Sequence, residues 1–526
     1  MAGWKIRCGC DCLAVLLAFS FGGCQTTAEE PANESCPAGA SCAVYEETSV
    51  IEDEYTPPSP EPTGSYVVRL HYLLSDTRSD PQPVEDALSV LAAAELDMTV
   101  ELIPTHDVGD ITVQLVSEEP LDLFLMEQKD ALEFITTSRY HEIPWETFLI
   151  DWSDYLAYIP NVVEGLGDRI QAGYMGNYLA GLPLLGEEGS YPALIAREDI
   201  LEQIGVDPAS IELTAADPDS YDQLTELFRK AKSFSQFTVG LELSPAVELR
   251  NGFIDPLGEG VGVLLLDGSG STEVVNWPDT ALCQKLYELN YCWTIEENLG
   301  IYVHSEDIVN ENDYRMMRGE LFSYFDWVYP GSVEAAEDRS GQELCAIPLN
   351  TAYRSSTPRI TYALCSHSEN PEKAAIFYNW LFTSGEAKDL LSYGVEGYSW
   401  EIAPDGTASP TVDYYPDYKY YSNASAFLMP NRFAGHLLNG ESSYSNYQSY
   451  LENLPLSPAY GFVFDPTPVQ TELLKCRSTL DAVLSLIDSS NPYYMEQKRV
   501  MEHDGIDKVL SEKQRQLDEW LTAQEE

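Results

Sequence analysis

An α/β fold of more than one domain is predicted by three observations. Apolar strands alternate with amphipathic helices, several strands are continuous apolar runs of the buried kind, and the chain is long. The folded part opens with "YVVRLHYLL" (66–74) as a strand, "PVEDALSVLAAAEL" (83–96) as a helix, "MTVELIP" as a strand and "LDLFLM" (121–126) as a short buried strand. Such alternation predicts a largely parallel sheet with helices on its faces. The roughly 460 residues after Ser65 are enough for two or three domains. The 33 Tyr and 9 Trp of the chain supply bulk for sizeable cores.

The later elements follow in order. "NYLAGLPLL" (177–185) reads as a strand broken by Pro183, and "SYPALIAREDILEQIGVD" as a strand running into a helix. "VGVLLLDGSGSTEVVNW" holds two strand-like runs around Asp267 and Gly268, a hairpin signal. "SENPEKAAIFYNWLFTS" predicts a helix capped by Asn370, with Pro371 in its first position and an inward stripe of Ala374, Tyr378, Leu381 and Phe382. Gly394 stops the next helix, "GEAKDLLSYG". The final "GIDKVLSEKQRQLDEWL" repeats the helical pattern through Ile506, Val509, Leu510, Leu517, Trp520 and Leu521. There is no internal repeat.

Ahead of the folded part, the apolar run Leu13 to Gly23 falls short of the about 20 residues that span a membrane. With Lys5 and Arg7 before it, the run suits a secretory signal. Gly22 and Gly23 directly before Cys24 resemble a bacterial lipoprotein signal, in which the cysteine is diacylated and becomes the new N-terminus. Residues 1–23 are then the signal. Residues 24–65, rich in Glu, Pro, Thr and Ser, are expected to form a disordered acidic tether, with too few apolar groups to offset ordering entropy.

Composition excludes several functions. The net charge of -57 repels phosphate backbones, so no nucleic-acid partner is expected. Cys36, Cys42, Cys283, Cys292, Cys345, Cys365 and Cys476 remain after the signal and Cys24, an odd number without a CxxC, so no zinc ribbon is suggested. The seven histidines lie far apart with no HExxH pair, "GSGS" lacks the spacing of a nucleophile elbow, and no Walker-type sequence occurs. No catalytic residue, metal site or cofactor is expected; a hydrolase is allowed but unsupported, because with 86 acidic residues no carboxylate pair can be singled out.

Several segments together resemble the extracellular solute-binding lipoproteins of ABC importers, of the sugar-binding type. "GNYLAGLPLL" is similar to that family's crossover between lobes, and "LIAREDILEQIGVD" to the strand and helix after it. "MMRGELFSYFDW" and "SENPEKAAIFYNWLFTSGEAKDLLSYGVEGYSWEI" resemble two further family segments in the same order. The ending "YGFVFDPTPVQTEL" through "DEWL" resembles the poorly characterised C-terminal domain of one subfamily. In "EGYSW" the chain departs from the subfamily pattern, with Tyr398 where His is common.

The resemblance implies two lobes of the periplasmic-binding-protein type II fold, joined by crossover strands with the ligand between them. Residues 66–176 plus about 320–365 are expected in the N-terminal lobe. Residues 177–319 plus about 366–455 are expected in the C-terminal lobe, and 456–526 as a helical segment packed on both. It also implies a monomer, anchored by lipid to the outer face of the bacterial cytoplasmic membrane, that passes a small solute, a sugar or oligosaccharide, to the transmembrane subunits of an ABC permease. An extracytoplasmic carbohydrate-active enzyme is the second reading, and a non-transport surface receptor on the same fold the third.

Candidate contacts sit where strands end near the cleft, the usual ligand position in parallel sheets. Ser75 and Asp76 follow the first strand, Met126 and Glu127 follow "LDLFLM", Tyr178 lies in the crossover and Tyr191 just beyond it. Asp326, Trp327 and Tyr329 lie at the expected return to the first lobe, Tyr353 and Arg354 before a return strand, and Glu396, Tyr398 and Trp400 in "EGYSW". Aromatic faces suit the apolar faces of sugar rings, while acids, amides and guanidinium groups suit hydroxyls.

Overall fold

Strand pairing sorts the chain into two mixed sheets. A computed structural model describes residues 62–74, 80–106, 110–117, 119–127, 148–186, 188–234, 238–240, 244–301, 311–355, 360–410, 428–438, 442–484 and 492–525. All belong to the unit Tyr55–Glu526. Cys24, Cys36, Cys42, Ser75 and Asp76 lie outside the described residues.

The first sheet runs Met98–Thr105, Tyr66–Leu73, Leu123–Glu127, Ile360–Cys365, Leu149–Ile150, with Leu182–Pro183 also paired to Ile360–Cys365. Its first three strands are parallel and the return strand Ile360–Cys365 is antiparallel to its neighbours. Alternation puts Val68, Leu70, Leu123 and Leu125 on one face, where they pack against Val84, Leu88 and Ala92 of helix Gln82–Leu96 and Ala374, Phe377 and Leu381 of helix Pro371–Thr383. That second helix begins as expected: the Asn370 side chain accepts the Lys373 N–H at 3.1 Å, and Pro371 occupies the first position.

The second sheet runs Gly300–Ile301, Thr238–Gly240, Leu321–Val328, Tyr191–Arg197, Leu344–Pro348. One face, with Ala193, Ile195, Tyr324 and Val328, meets Met316 and Ala336 of two short helices. The other, with Leu194, Ala196, Phe325 and Ile347, packs on Leu224, Phe228, Leu282 and Leu286. The same core continues into the carboxyl-terminal helices Gln470–Leu484, Pro492–Asp504 and Ile506–Glu525 through Leu473, Leu480, Val509 and Leu517.

Several expectations are corrected. Both sheets are mixed rather than largely parallel, because a strand arriving from the other lobe enters from the opposite end and must run antiparallel. Residues 321–328 and 344–348, expected in the first lobe, pair in the second sheet. Helices Pro371–Thr383 and Gly385–Tyr393, expected in the second lobe, bury Phe377, Leu381 and Leu391 in the core of the first. Residues 177–185 form two short strands, Tyr178–Leu179 and Leu182–Pro183, the second ending at Pro183, which pairs with Thr361. The hairpin around Asp267 reduces to one antiparallel bridge, Val263 with Val275, while Leu264–Leu265 pairs with Ile254–Asp255. Among the described residues, Cys283, Cys292, Cys345, Cys365 and Cys476 are unpaired and no helix is long and apolar enough to cross a membrane.

Candidate functional site

Three stretches connect the sheets. The chain leaves the first sheet at Pro183 and enters the second at Tyr191, then returns between Pro348 and Ile360. A third stretch lies alongside both: Leu185 bridges Asn431, and Arg354 bridges Leu456. Two glycines permit this close lamination. A Cβ on Gly181 would stand 2.2 Å from Thr361 Oγ1, and one on Gly186, at φ +117, would stand 2.2 Å from Arg432 Cδ.

On the first-lobe side of these crossings, Met126 lies opposite Thr361 and Glu127 opposite Ile360, at the end of the strand Leu123–Glu127. Met126 is buried and Glu127 half-buried. Tyr178 is buried in the hairpin Tyr174–Met175/Tyr178–Leu179 that precedes the first crossing.

On the second-lobe side, the register sets four candidates at one end of the sheet but on two faces. Asp326, opposite Ala193, shares a face with Val328 and Tyr191; Trp327, opposite Pro192, shares the other with Phe325; and Tyr329 follows Val328. Trp327 is half-buried, and its indole Nε1 is buried with no protein acceptor among the described residues, so the accessible part of the residue is not its donor. Asp326 Oδ1 accepts the Trp327 N–H at 2.7 Å. The Arg432 guanidinium lies 4.4 Å from the centre of the Tyr329 ring, tying the third crossing to this edge. Burial, helped by Glu334, raises the Tyr191 phenol above its ordinary value, so it stays protonated and able to donate.

The remaining candidates have other partners. Tyr353 lies against the turn at Gly268, where burial and the nearby Asp267 raise its pKa. Arg354 is engaged by Glu188 and Tyr460 at the crossings; burial lowers its pKa, but the bond to Glu188 prevails and the net shift is upward. Glu396, Tyr398 and Trp400 belong to a separate small cluster. Trp400 is 4% exposed, donates its Nε1 to Gly394 O at 3.0 Å, and touches the rings of Tyr393 and His436 at 5.5 Å each. Glu396 and Tyr398 are exposed beside it.

Sequence reasoning missed Glu188, Thr361, Arg432, Tyr447, Tyr450 and Tyr460 at the crossings. The one local signal was the pair Gly186 and Gly189, both at positive φ around Glu188. Among the described residues no group of three or more His, Cys, Asp or Glu side chains could hold a metal ion.

Comparison with known proteins fits this geometry. Residues 458–522 match a domain of unknown function, DUF3502. The chain is 22% identical over 338 residues, 61% of its length, to a carbohydrate ABC transporter substrate-binding protein of Streptococcus pneumoniae, and spans 65% of that relative. Its fold is similar to the N-glycan transport solute binding protein NgtS of S. pneumoniae, solved in complex with Man5GlcNAc (TM-score 0.68, 16% identity, 87% of this chain and 99% of that one). It is also similar to the S. pneumoniae ABC-transporter substrate binding protein FusA in complex with kestose (TM-score 0.55, 12% identity, 87% and 100%). The alginate-binding protein AlgQ2 gives a TM-score of 0.56 at 12% identity, over 86% and 98%. In fold, then, the chain is similar to two-lobed solute-binding proteins, its residues 458–522 match this domain of unknown function, and in sequence it is similar to a substrate-binding protein of a carbohydrate ABC transporter.

Proposed function

We propose that the protein is an extracytoplasmic solute-binding lipoprotein, anchored through Cys24, that captures an oligosaccharide between its lobes and delivers it unchanged to an ABC permease. The observation that carries this reading is the placing of Tyr191, Asp326, Trp327 and Tyr329 at the end of the second sheet beside the crossings from the first, with Tyr191 and Asp326 on one face and Trp327 on the other. A ring and an acid on one face, Tyr191 and Asp326, suit a sugar, the ring for its apolar face and the carboxylate for its hydroxyls. The similar folds of NgtS and FusA, solved with Man5GlcNAc and kestose, support an oligosaccharide as the solute class.

A solute touching both lobes binds one lobe arrangement better than the other, and that difference shifts the hinge equilibrium. Moving the population from mostly open to mostly closed needs roughly 5 kcal/mol of differential binding, within reach of a few stacked rings and charge-assisted hydrogen bonds.

The test is a thermal-shift and calorimetric screen of the full chain against oligosaccharides, short peptides and polyols, since a ligand that binds only the native state raises the melting point. One oligosaccharide class should bind saturably and be recovered intact. Trp327→Ala should weaken that binding more than about tenfold while the circular dichroism spectrum stays native. Unchanged affinity would remove Trp327 from the site, and product formation on incubation would put an enzyme in place of a binding protein.

A further inference from the structure

Glu188, in the first crossing, is a carboxylate on which side chains from distant parts of the chain converge. Arg169, on the turn Gly167–Gly173 of the first lobe, places Nε 2.8 Å from Glu188 Oε2. Arg354, on the second crossing, places Nε 2.9 Å from Oε1. Tyr460 of the carboxyl-terminal segment donates its hydroxyl to the same Oε1 at 3.0 Å and accepts from Arg354 Nη2 at 2.9 Å. Tyr447 and Tyr450 donate to the carbonyls of Glu188 and Gly189 at 3.0 and 2.7 Å. The Glu188 side chain is 13% exposed and the two arginines 22% and 20%, so water screens these bonds only in part.

The carboxyl-terminal segment is fixed to the second lobe and reaches past the crossings. On the second lobe, Lys513 Nζ lies 2.6 Å from Glu259 Oε1, both side chains fully buried. Tyr287 donates to Leu484 O at 2.9 Å, and Gln514 bonds the backbone of Val274 and Thr272. At the crossings, Arg354 and the 455–457 stretch exchange backbone bonds of 2.9 and 2.8 Å. On the first lobe, Gly176 donates its N–H to Phe464 O at 3.1 Å, within a hairpin that Asp151 holds through Leu179 N.

We propose that the carboxyl-terminal domain is a strut across the hinge, and that Glu188, through Arg169, Arg354 and Tyr460, sets the balance among lobe arrangements in the absence of ligand. Charge-assisted hydrogen bonds are directional and fail beyond about 3.5 Å, so a rotation of the lobes that separates these groups loses several at once. The four residues position the lobes and need not touch solute. The purpose of such a strut rests on the solute-binding reading above, but its existence does not.

Spin labels introduced through unnatural amino acids at Val90 in the first lobe, 43% exposed, and Ile295 in the second, 60% exposed, leave the native cysteines untouched. The interlobe distance distribution is then measured in the ligand-free full chain. In Glu188→Gln the distribution should shift or widen about twofold, and Tyr460→Phe should change it in the same direction by less. Should Glu188→Gln fail to fold, Tyr460→Phe decides alone, since it removes one hydroxyl and keeps the ring. A lowered melting point with an unmoved distribution overturns the strut and makes the cluster merely structural. Because no ligand is present, that result leaves the solute-binding reading standing, and a failed sugar screen leaves the strut standing.

Discussion

His71 is 1% exposed on the first strand and makes two bonds that only its neutral form can make together. Its Nδ1 accepts the Leu125 N–H at 3.2 Å, so the proton sits on Nε2, which pairs with Thr105 Oγ1 at 2.7 Å. Burial pushes its pKa down to about 4, against the opposing pull of Asp110. The unfolded chain therefore binds this proton at a higher pH than the native one, and stability falls as pH drops through the window from about 6.5 to about 4. Between pH 7 and pH 5 the stability advantage of wild type over His71→Gln should shrink by about 2 kcal/mol in denaturant titrations. A pH-independent difference would show that His71 titrates alike in the native and unfolded states. Nothing in "VRLHYLL" foretold this, since a histidine fits either face of a strand. Similarly, Trp327 and Trp400 look alike as sequence, each an aromatic near an acid, yet one is half-buried at a crossing and the other closed in a core of its own.

The helices were the most legible elements, because a cap and an apolar stripe are local information. Asn370 at the start of Pro371–Thr383 caps as its type and place require, and Ser384 does the same for the next helix. Asn370→Ala should cost about 1 kcal/mol, read from urea denaturation, with the oligosaccharide affinity unchanged. A loss several times larger would show that losing the cap also displaces the backbone at Asn370, whose main-chain N–H, kept in the variant, donates to Tyr66 Oη at 3.1 Å beside Asp122 and Ser368. What the stripe of Ala374, Tyr378 and Leu381 could not declare is which sheet it covers. An apolar face is non-directional, and the first-lobe core accepts it as readily as the second would.

At the scale of the whole molecule, the Lys513–Glu259 pair joins residues 254 positions apart with no water access. Burial drives the Lys513 ammonium below its ordinary pKa, while Glu259 and the carbonyls of Val261 and Gly262 hold its charge in place. Lys513→Met should destabilise by about 3–5 kcal/mol because it strands a buried carboxylate, whereas Lys513→Met with Glu259→Leu should lose less than either single change. Additive losses in chemical denaturation would show that the two side chains act independently.

By itself the sequence determined the alternation of strands and helices, their caps and stops, the resemblance to a two-lobed binding fold, and the strongly acidic net charge. Each of these is set within a few residues or by composition. The tertiary structure alone decided which sheet each later element joins, which aromatics meet at the crossings, and that Glu188 gathers Arg169, Arg354 and Tyr460. Those partners lie 19, 166 and 272 positions away. A side chain's own neighbours in sequence carry no record of what packs against it from across the fold, so such convergence becomes visible only once the chain has closed on itself.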